Sequence, residues 1–396
     1  MIEIISALLL GVLIGTITSL TPGLHINTIS ALLITYSIIA LDYFSPLTLA
    51  TFIIAMSIMH TFGDAVPSIF LGAPDSDQAL SVQPGHRFLL KGRGFEALYL
   101  TIIGSLLAVI LIILLSPILF LTIKKFYNII ANYIVIILIL SSVFLILKEK
   151  NSKIMAILVF LLSGVLGLIT VNSKIQQPLL PLLAGLFGIS SIIFSLLKKT
   201  KIPPQKISYP KLKKKEIINP LYLGLFSSLL IGFLPALSSS IAATISSSAK
   251  TLKTKSFLIL MGSINTFFMI ISFIALYSIN KARSGSVVAI SNFLENITIN
   301  HIIFFFSISL ITAALATIIT INLGKIFTKI INKINYKILS VIIILIILTL
   351  TIIINNFTSI LILITATFIG LIPHLANTRK IYLMGSLILP TIMFLI

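Results

Sequence analysis

Small polar side chains interrupt the first long apolar run of the sequence, which extends from Ile4 to Leu41. The Pro22-Gly23 pair is expected to end one helix and to let a second begin near Leu24, because proline lacks an amide hydrogen and glycine tolerates unusual dihedral angles. The open amides of the second helix, with hydroxyl, imidazole and amide side chains around them, suit an anionic group. The residues predicted to bind it are Thr21, Pro22, Gly23, His25, Asn27 and Thr28.

A second stretch repeats this arrangement. Gly224 precedes Pro235 by the same eleven positions that separate Gly11 from Pro22, and a run of serines follows. We therefore predict two broken elements that face each other inside a membrane, where broken helices need cover from protein or water. The alternative is that the small polar residues only allow close helix packing. The second half's predicted binding residues are Pro235, Ser238, Ser239 and Ser240.

The elements that position these residues are apolar segments. The chain has 396 residues, 58% hydrophobic and 9% charged, without cysteine, and its mean hydropathy is +1.18. Apolar stretches of membrane-spanning length recur throughout, which indicates an integral, all-α polytopic membrane protein. The predicted segments are Ile4–Leu41, Pro46–Leu71, Phe95–Leu121, Ile129–Leu147, Ile154–Val171, Leu179–Leu197, Pro220–Ala249, Phe257–Ile279, His301–Leu323, Ile338–Ile354, Ile360–Ala376 and Ile381–Ile396.

The basic residues predict the topology. The net charge of +19 is interpreted as positive-inside loops and not as nucleic-acid binding, because lysine and arginine cluster between apolar spans. Placing the lysine-rich linker 198–219 in the cytoplasm puts most basic residues on that side. Each half, 1–197 and 220–396, is then a Pro-broken helical hairpin plus about five transmembrane helices. An odd number of crossings makes the two repeats inverted, as in many secondary transporters.

Asp64 is the first candidate for coupling to a cation. It lies late in the segment Pro46–Leu71, and an ionisable residue within a membrane span indicates function by default. It could bind Na⁺ or carry a proton. Alternatively, the span ends near Met59 and Asp64 caps the helix at the interface. The neighbouring His60 is interpreted as a packing residue.

Two loops carry further charges. Asp75 and Asp77, in the loop that starts at Gly72, could ligate a cation, although helix capping and pairing with nearby basic side chains is the ordinary role. In the second half Lys281 and Arg283 occupy the matching loop and could act as gates or attract substrate. A solvated loop is the alternative in both halves.

Enzyme signatures are missing from the sequence. No metal-spaced histidine cluster, no phosphate-binding glycine loop with lysine and no nucleophile–base set is found. We therefore expect no enzyme activity, no metal site and no cofactor, with Na⁺ or H⁺ serving only as a coupling ion.

Several motifs resemble one family along nearly the whole chain. Pro22-Gly23-Leu24, the run Gly72-Ala73-Pro74-Asp75 and the stretch from Lys91 to Leu98 are similar to the TctA-type large membrane subunit of tripartite tricarboxylate transporters, in its archaeal branch. The resemblance implies an inverted-repeat permease for small carboxylates that uses a cation gradient. It also implies a small membrane subunit and an extracytoplasmic binding protein as partners. The polyprenyl-phosphate translocases are also similar, in their Pro-Gly breaks within duplicated halves.

The first functional hypothesis is a secondary active transporter that moves a small organic anion, a di- or tricarboxylate, with Na⁺ or H⁺. The alternative is a translocase for a lipid-linked phosphate. A structural membrane protein would leave the paired breaks without a purpose. The expected surroundings are the bilayer of the cell membrane, with homo-oligomerisation left open.

Overall fold

The computed structural model describes residues 1–21, 26–71, 82–149, 151–197, 202–233, 243, 252–294, 296–331 and 336–396, and all regular structure in these ranges is helical. The helices of the first half are α1 (Ile2–Leu20), α2 (Ile26–Thr35), α3 (Ser37–Tyr43), α4 (Pro46–Gly63), α5 (Val82–Leu89), α6 (Gly94–Ala131), α7 (Ile134–Leu147), α8 (Lys153–Val171), α9 (Leu179–Leu183) and α10 (Ser190–Leu197). Those of the second half are α11 (Lys214–Phe233), α12 (Thr254–Ile279), α13 (Gly285–Phe293), α14 (Ile299–Ile330), α15 (Tyr336–Ile354), α16 (Thr358–Leu375) and α17 (Gly385–Leu395). Two π-helical segments, Pro67–Leu71 and Ala184–Ile189, and the 3₁₀ segment Lys380–Met384 adjoin them.

Seven of the described helices are long and apolar enough to cross a membrane. Two of them, α12 and the continuous span Pro46–Leu71 that contains α4, are almost fully surrounded by protein. The others expose large apolar side chains, such as Leu114 on α6 at 70% and Leu121 at 83%. An apolar surface of this kind requires lipid around it. The predicted all-α polytopic membrane protein is confirmed.

The first helix ends close to Pro22, as predicted. The last residue of α1 is Leu20, and Thr21 takes an extended conformation with φ −99° and ψ 100°. The residue before a proline is pushed out of the helical region by a clash with the proline ring, so Thr21 cannot continue α1. A new helix, α2, starts at Ile26. The second break, predicted at Pro235, lies outside the described residues, since α11 is described to Phe233.

Glycines bring helices within each half close together. A Cβ atom on Gly11 of α1 would lie 2.5 Å from the carbonyl oxygen of Phe52 on α4. A Cβ atom on Gly224 of α11 would overlap the side chain of Ser263 on α12. Small residues permit such close approach between membrane helices. Each half therefore contains a tight pair that consists of its first long helix and its most buried span.

Helices of each half also pack against helices of the other half. Helix α6 of the first half packs against α12 of the second, and α14 of the second packs against α4 of the first. Farther along, α8 packs against α17, and α16 packs against the π segment Ala184–Ile189. Crosswise packing of this kind agrees with a duplicated chain. The opposite orientation of the halves and the boundaries 1–197, 198–219 and 220–396 stay predictions.

The described part of the linker, from Ile202 to Lys213, is not helical and is attached to the loop before α6. The side chain of Gln205 accepts a hydrogen bond from Gly94 N over 2.9 Å and donates to Leu89 O over 2.9 Å. Lys206 N donates to Gly92 O over 2.8 Å. These bonds hold the linker against the first half.

We expect Gln205→Ala to loosen this attachment. Losing the side-chain hydrogen bonds should cost about 1.5 kcal/mol locally, which raises the opened population about tenfold. Trypsin cleavage after Lys206 should accelerate accordingly. Gln177→Ala is the matched control, because the described hydrogen bonds of Gln177 use its main chain only; equal cleavage rates in the two variants would contradict the attachment.

Candidate functional site

Polar side chains from three helices meet beside the end of α1. The hydroxyl of Thr18, in the last turn of α1, lies 3.1 Å from Nδ1 of His60 on α4. The same hydroxyl donates to Gly15 O over 3.1 Å. A threonine hydroxyl has one hydrogen and can donate to only one of these two groups, so the direction of the Thr18–His60 bond depends on the tautomer of His60.

Helix α12 of the other half completes the group. Asn265 Nδ2 donates a hydrogen bond to Asp64 Oδ2 over 3.3 Å, and Thr266 Oγ1 donates to Thr61 Oγ1 over 3.3 Å. Both contacts join residues about two hundred positions apart. We name Thr18, His60, Thr61, Asp64, Asn265 and Thr266 the central polar cluster.

Every member of the central polar cluster is buried, and none is more than 7% exposed. The span that carries Asp64 does not end near Met59 but continues to Leu71. Three positions after Asp64 the chain enters the π-helical segment Pro67–Leu71, a type of distortion that recurs at functional sites. Asp64 therefore lies inside the most deeply buried span and not at its interfacial end.

Two other described carboxylates, Glu96 and Glu149, are as deeply buried as Asp64. Glu96 receives two hydrogen bonds of 2.7 Å from Arg93. Glu149 lies 4.0 Å from Arg379 Nε and accepts a hydrogen bond of 2.9 Å from the hydroxyl of Tyr382. The Arg93–Glu96 bridge is local to the start of α6, whereas the Arg379–Glu149 bridge joins the two halves of the chain. Asp64 hydrogen-bonds the side-chain amide of Asn265 on α12.

The central polar cluster offers oxygen ligands. Asn265 Oδ1 is buried and has no hydrogen-bond partner among the described residues. The carboxylate of Asp64, this amide oxygen and the hydroxyls of Thr61 and Thr266 are hard donors, which suit small hard cations. The carboxylate of Asp64 could equally hold a proton. The donor set therefore fits either coupling ion that the sequence left open.

Sequence reasoning missed four members of the central polar cluster, Thr18, Thr61, Asn265 and Thr266, and assigned His60 to packing. A short repeat in the sequence could have revealed these residues. Met56 is followed by His60-Thr61-Phe62 at the same spacing at which Met261 is followed by Asn265-Thr266-Phe267. The two threonines at matching places in this repeat are the ones that hydrogen-bond each other.

Most of the other predicted site residues are not placed by the structure. Thr21 is described, and its hydroxyl donates to Ile17 O over 2.8 Å, a local bond within the last turn of α1. Asn27 and Thr28 lie in the first turn of α2. The remaining candidates fall outside the described residues: Pro22, Gly23, His25, Asp75, Asp77, Pro235, Ser238, Ser239 and Ser240.

The basic pair proposed as a gate lies between α12 and α13. Arg283 places its guanidinium 5.4 Å from the ring centre of Tyr127 on α6, a cation–π contact. Its Nε and Nη2 atoms are buried and have no hydrogen-bond partner among the described residues. Lys281 is exposed. A gating role for the two stays a prediction.

Comparison with known proteins adds the family. The sequence profile of the tripartite tricarboxylate transporter TctA family matches residues 5–385. An uncharacterized protein of the archaeon Methanocaldococcus jannaschii is 34% identical over 398 aligned positions, covering 98% of each chain. No solved structure matches the chain. The chain thus belongs to the tripartite tricarboxylate transporter TctA family, whose members are membrane components of transporters.

Proposed function

We propose that this chain is a secondary active transporter that moves a small di- or tricarboxylate with Na⁺ or H⁺. The observation that carries the proposal is the central polar cluster, which contains the buried carboxylate of Asp64 and lies beside the end of α1. Polar groups inside a membrane span are costly and are retained for function. Membership of the family favours a carboxylate over the lipid-linked phosphate that the sequence left as the alternative.

The substrate would bind at the helix break, and the cation would bind in the central polar cluster. Open amides at the start of α2 and the side chains of Asn27 and Thr28 would hold a carboxylate. The serines Ser238 to Ser240 of the second half would face them. A negative substrate and a positive ion close together stabilise each other, so each should bind better when the other is present.

Helix α1 links the two sites physically. Thr18 contacts His60 within the central polar cluster, and α1 ends two residues later at Leu20. Ser19 packs so closely on Gly63 that a Cβ atom there would overlap its hydroxyl. A cation that draws Asp64 and its neighbours together would therefore shift the last turn of α1, and with it the helix break.

The direct test is uptake of labelled citrate, succinate and malate by proteoliposomes under imposed Na⁺ and H⁺ gradients. We expect at least one carboxylate to accumulate under one of the two gradients. Accumulation should stop when an ionophore dissipates that gradient. Failure of the full panel under both gradients, with protein that is inserted and folded, would refute the proposal.

Replacing a predicted binding residue beside either helix break should weaken substrate binding. Asn27→Leu and Ser239→Leu each remove a polar group that the carboxylate would need, and an unmet buried polar contact costs about 1–3 kcal/mol. Substrate affinity should fall by about tenfold or more, as measured by binding of labelled substrate to purified protein. Asn292→Leu is the control, because Asn292 is exposed and bonds locally to Val288 O. Unchanged affinity in both Asn27→Leu and Ser239→Leu would disprove the site.

The family works in three-component systems. We accordingly propose an extracytoplasmic binding protein and a small membrane subunit as partners, with the linker 198–219 in the cytoplasm and the chain in the cell membrane. Adding the products of candidate neighbouring genes to the uptake assay tests this. Stimulation of uptake would support the partnership, and uptake that does not change on addition would oppose it.

A further inference from the structure

A basic pocket lies where the linker meets the first turns of two long helices. Its volume is about 580 Å³, and it is lined from three places: the loop before α6, the linker and the start of α12. The charged side chains in its wall are Lys91, Arg93, Glu96, Lys206, Lys211 and Lys255. Five basic groups thus surround one acid. We call this site the lysine pocket.

The single carboxylate in the wall is already engaged. Nε and Nη2 of Arg93 each donate a hydrogen bond of 2.7 Å to Glu96, and Lys255 Nζ lies 3.4 Å from Glu96 Oε1. Among the described residues no acidic side chain lies within salt-bridge distance of Lys91, Lys206 or Lys211. Three cations therefore share one cavity without a described counter-charge, which leaves the pocket strongly positive.

The main chain of the wall is held by its own contacts, while the side chains of Lys91, Lys206 and Lys211 are exposed. Lys206 N bonds to Gly92 O over 2.8 Å, and Lys255 Nζ reaches Lys211 O over 3.4 Å. Tyr209 packs edge-on against Tyr99, with ring centres 5.0 Å apart. These contacts fix the main-chain positions from which Lys206 and Lys211 extend into the pocket wall.

Two helix starts add to the positive field. Helix α6 begins at Gly94 and α12 begins at Thr254, and both starts adjoin residues of the pocket wall. The N-terminus of a long helix carries a partial positive charge that favours anions. Lysine side chains bind phosphate as point charges, and basic pockets at the cytoplasmic side of membrane helices suit phosphate head groups. The predicted topology places the linker on that side.

We propose that the lysine pocket binds a phosphate group. The group would belong either to an anionic lipid head group or to a free phosphate, and both offer the same oxygens and charge. Because the walls come from both halves and from the linker between them, an occupied pocket would fasten α6, α12 and the linker together. Binding would thereby restrict movement of one half against the other. The inference concerns binding and does not rest on the proposed transport function.

The test is the thermal unfolding midpoint of the full-length protein in detergent. One arm adds potassium phosphate against potassium chloride of equal ionic strength. The other adds phosphatidylglycerol to the micelles against phosphatidylcholine. We expect a higher midpoint in at least one arm. A rise with phosphate identifies a free phosphate as sufficient, and a rise with phosphatidylglycerol alone identifies the lipid head group.

A pair of triple variants locates the effect. The first triple variant combines Lys91→Gln, Lys206→Gln and Lys211→Gln. It removes the charges of the three wall lysines that have no acidic partner among the described residues. Lys213→Gln, Lys214→Gln and Lys215→Gln remove the same charge from exposed positions outside it. The apparent affinity should fall about 100-fold in the pocket variant and stay near the wild-type value in the control. Equal losses in the two variants, or no stabilisation of the wild type in either arm, would overturn the proposal.

Discussion

Asp64→Asn should abolish cation-driven accumulation of substrate. The substitution keeps the size and one hydrogen-bonding oxygen of the side chain but removes the charge that would hold Na⁺ or the site that would take a proton. Removing one member of a buried charge pair costs about 3 kcal/mol or more, which corresponds to more than about 100-fold in cation affinity. The measurement is gradient-driven uptake of labelled carboxylate in proteoliposomes.

Asp42→Asn provides the matched control for Asp64→Asn. Asp42 lies in α3 and is exposed, so the same chemical change there should leave uptake within about twofold of the wild type, as surface substitutions usually do. If Asp64→Asn retained its gradient-driven uptake, or if Asp42→Asn lost as much, the central polar cluster would not be the coupling site.

The largest effect on stability is expected from Gly104→Ala. Gly104 of α6 faces the carbonyl oxygen of Ile259 on α12, and Gly262 of α12 faces that of Thr101 on α6. A methyl group at Gly104 would overlap the opposing main chain, which cannot move aside as a side chain could. Overpacking of this kind costs about 1–3 kcal/mol, so the unfolding midpoint in detergent should fall by several degrees.

Gly188→Ala is the control for that prediction. The nearest atom to a Cβ there is Ile347 Cδ1 at 3.9 Å, an ordinary contact. Alanine favours helix over glycine by up to about 1 kcal/mol, and Gly188 lies within the helical segment Ala184–Ile189. The midpoint should therefore hold or rise. Equal destabilisation by the two alanines would show that the close α6–α12 contact is not what makes Gly104 sensitive.

The helices were largely predictable because membrane spans depend on local composition. The segment Pro46–Leu71 was predicted with the bounds that the structure gives to that span, and Pro22 marked the end of α1 through a purely local clash. The exception is length. Helix α6 continues from Leu121 to Ala131, past the exposed Lys124 and Lys125. Long basic side chains can extend to water while the helix continues, so charge alone did not mark its end.

The site was predictable only in part. Asp64 was found because a carboxylate in an apolar span has a large desolvation cost, which is a local argument. Its partner Asn265 was not found, because an amide in an apolar helix has many structural roles, and the pairing depends on the crossing of α4 and α12. That crossing is set by tertiary packing between residues 201 positions apart. The repeat of His60-Thr61-Phe62 as Asn265-Thr266-Phe267 indicates the pairing only when the two halves of the sequence are compared.

The measurement that tests the central claim most directly is the ratio of ion to substrate flux in proteoliposomes that contain the wild-type protein. Labelled carboxylate and Na⁺, or carboxylate and internal pH, would be followed together in the same vesicles. A coupled transporter predicts a fixed ratio of at least about one cation per substrate, with either gradient able to drive the other solute. Carboxylate flux that proceeds without any cation flux would contradict the account.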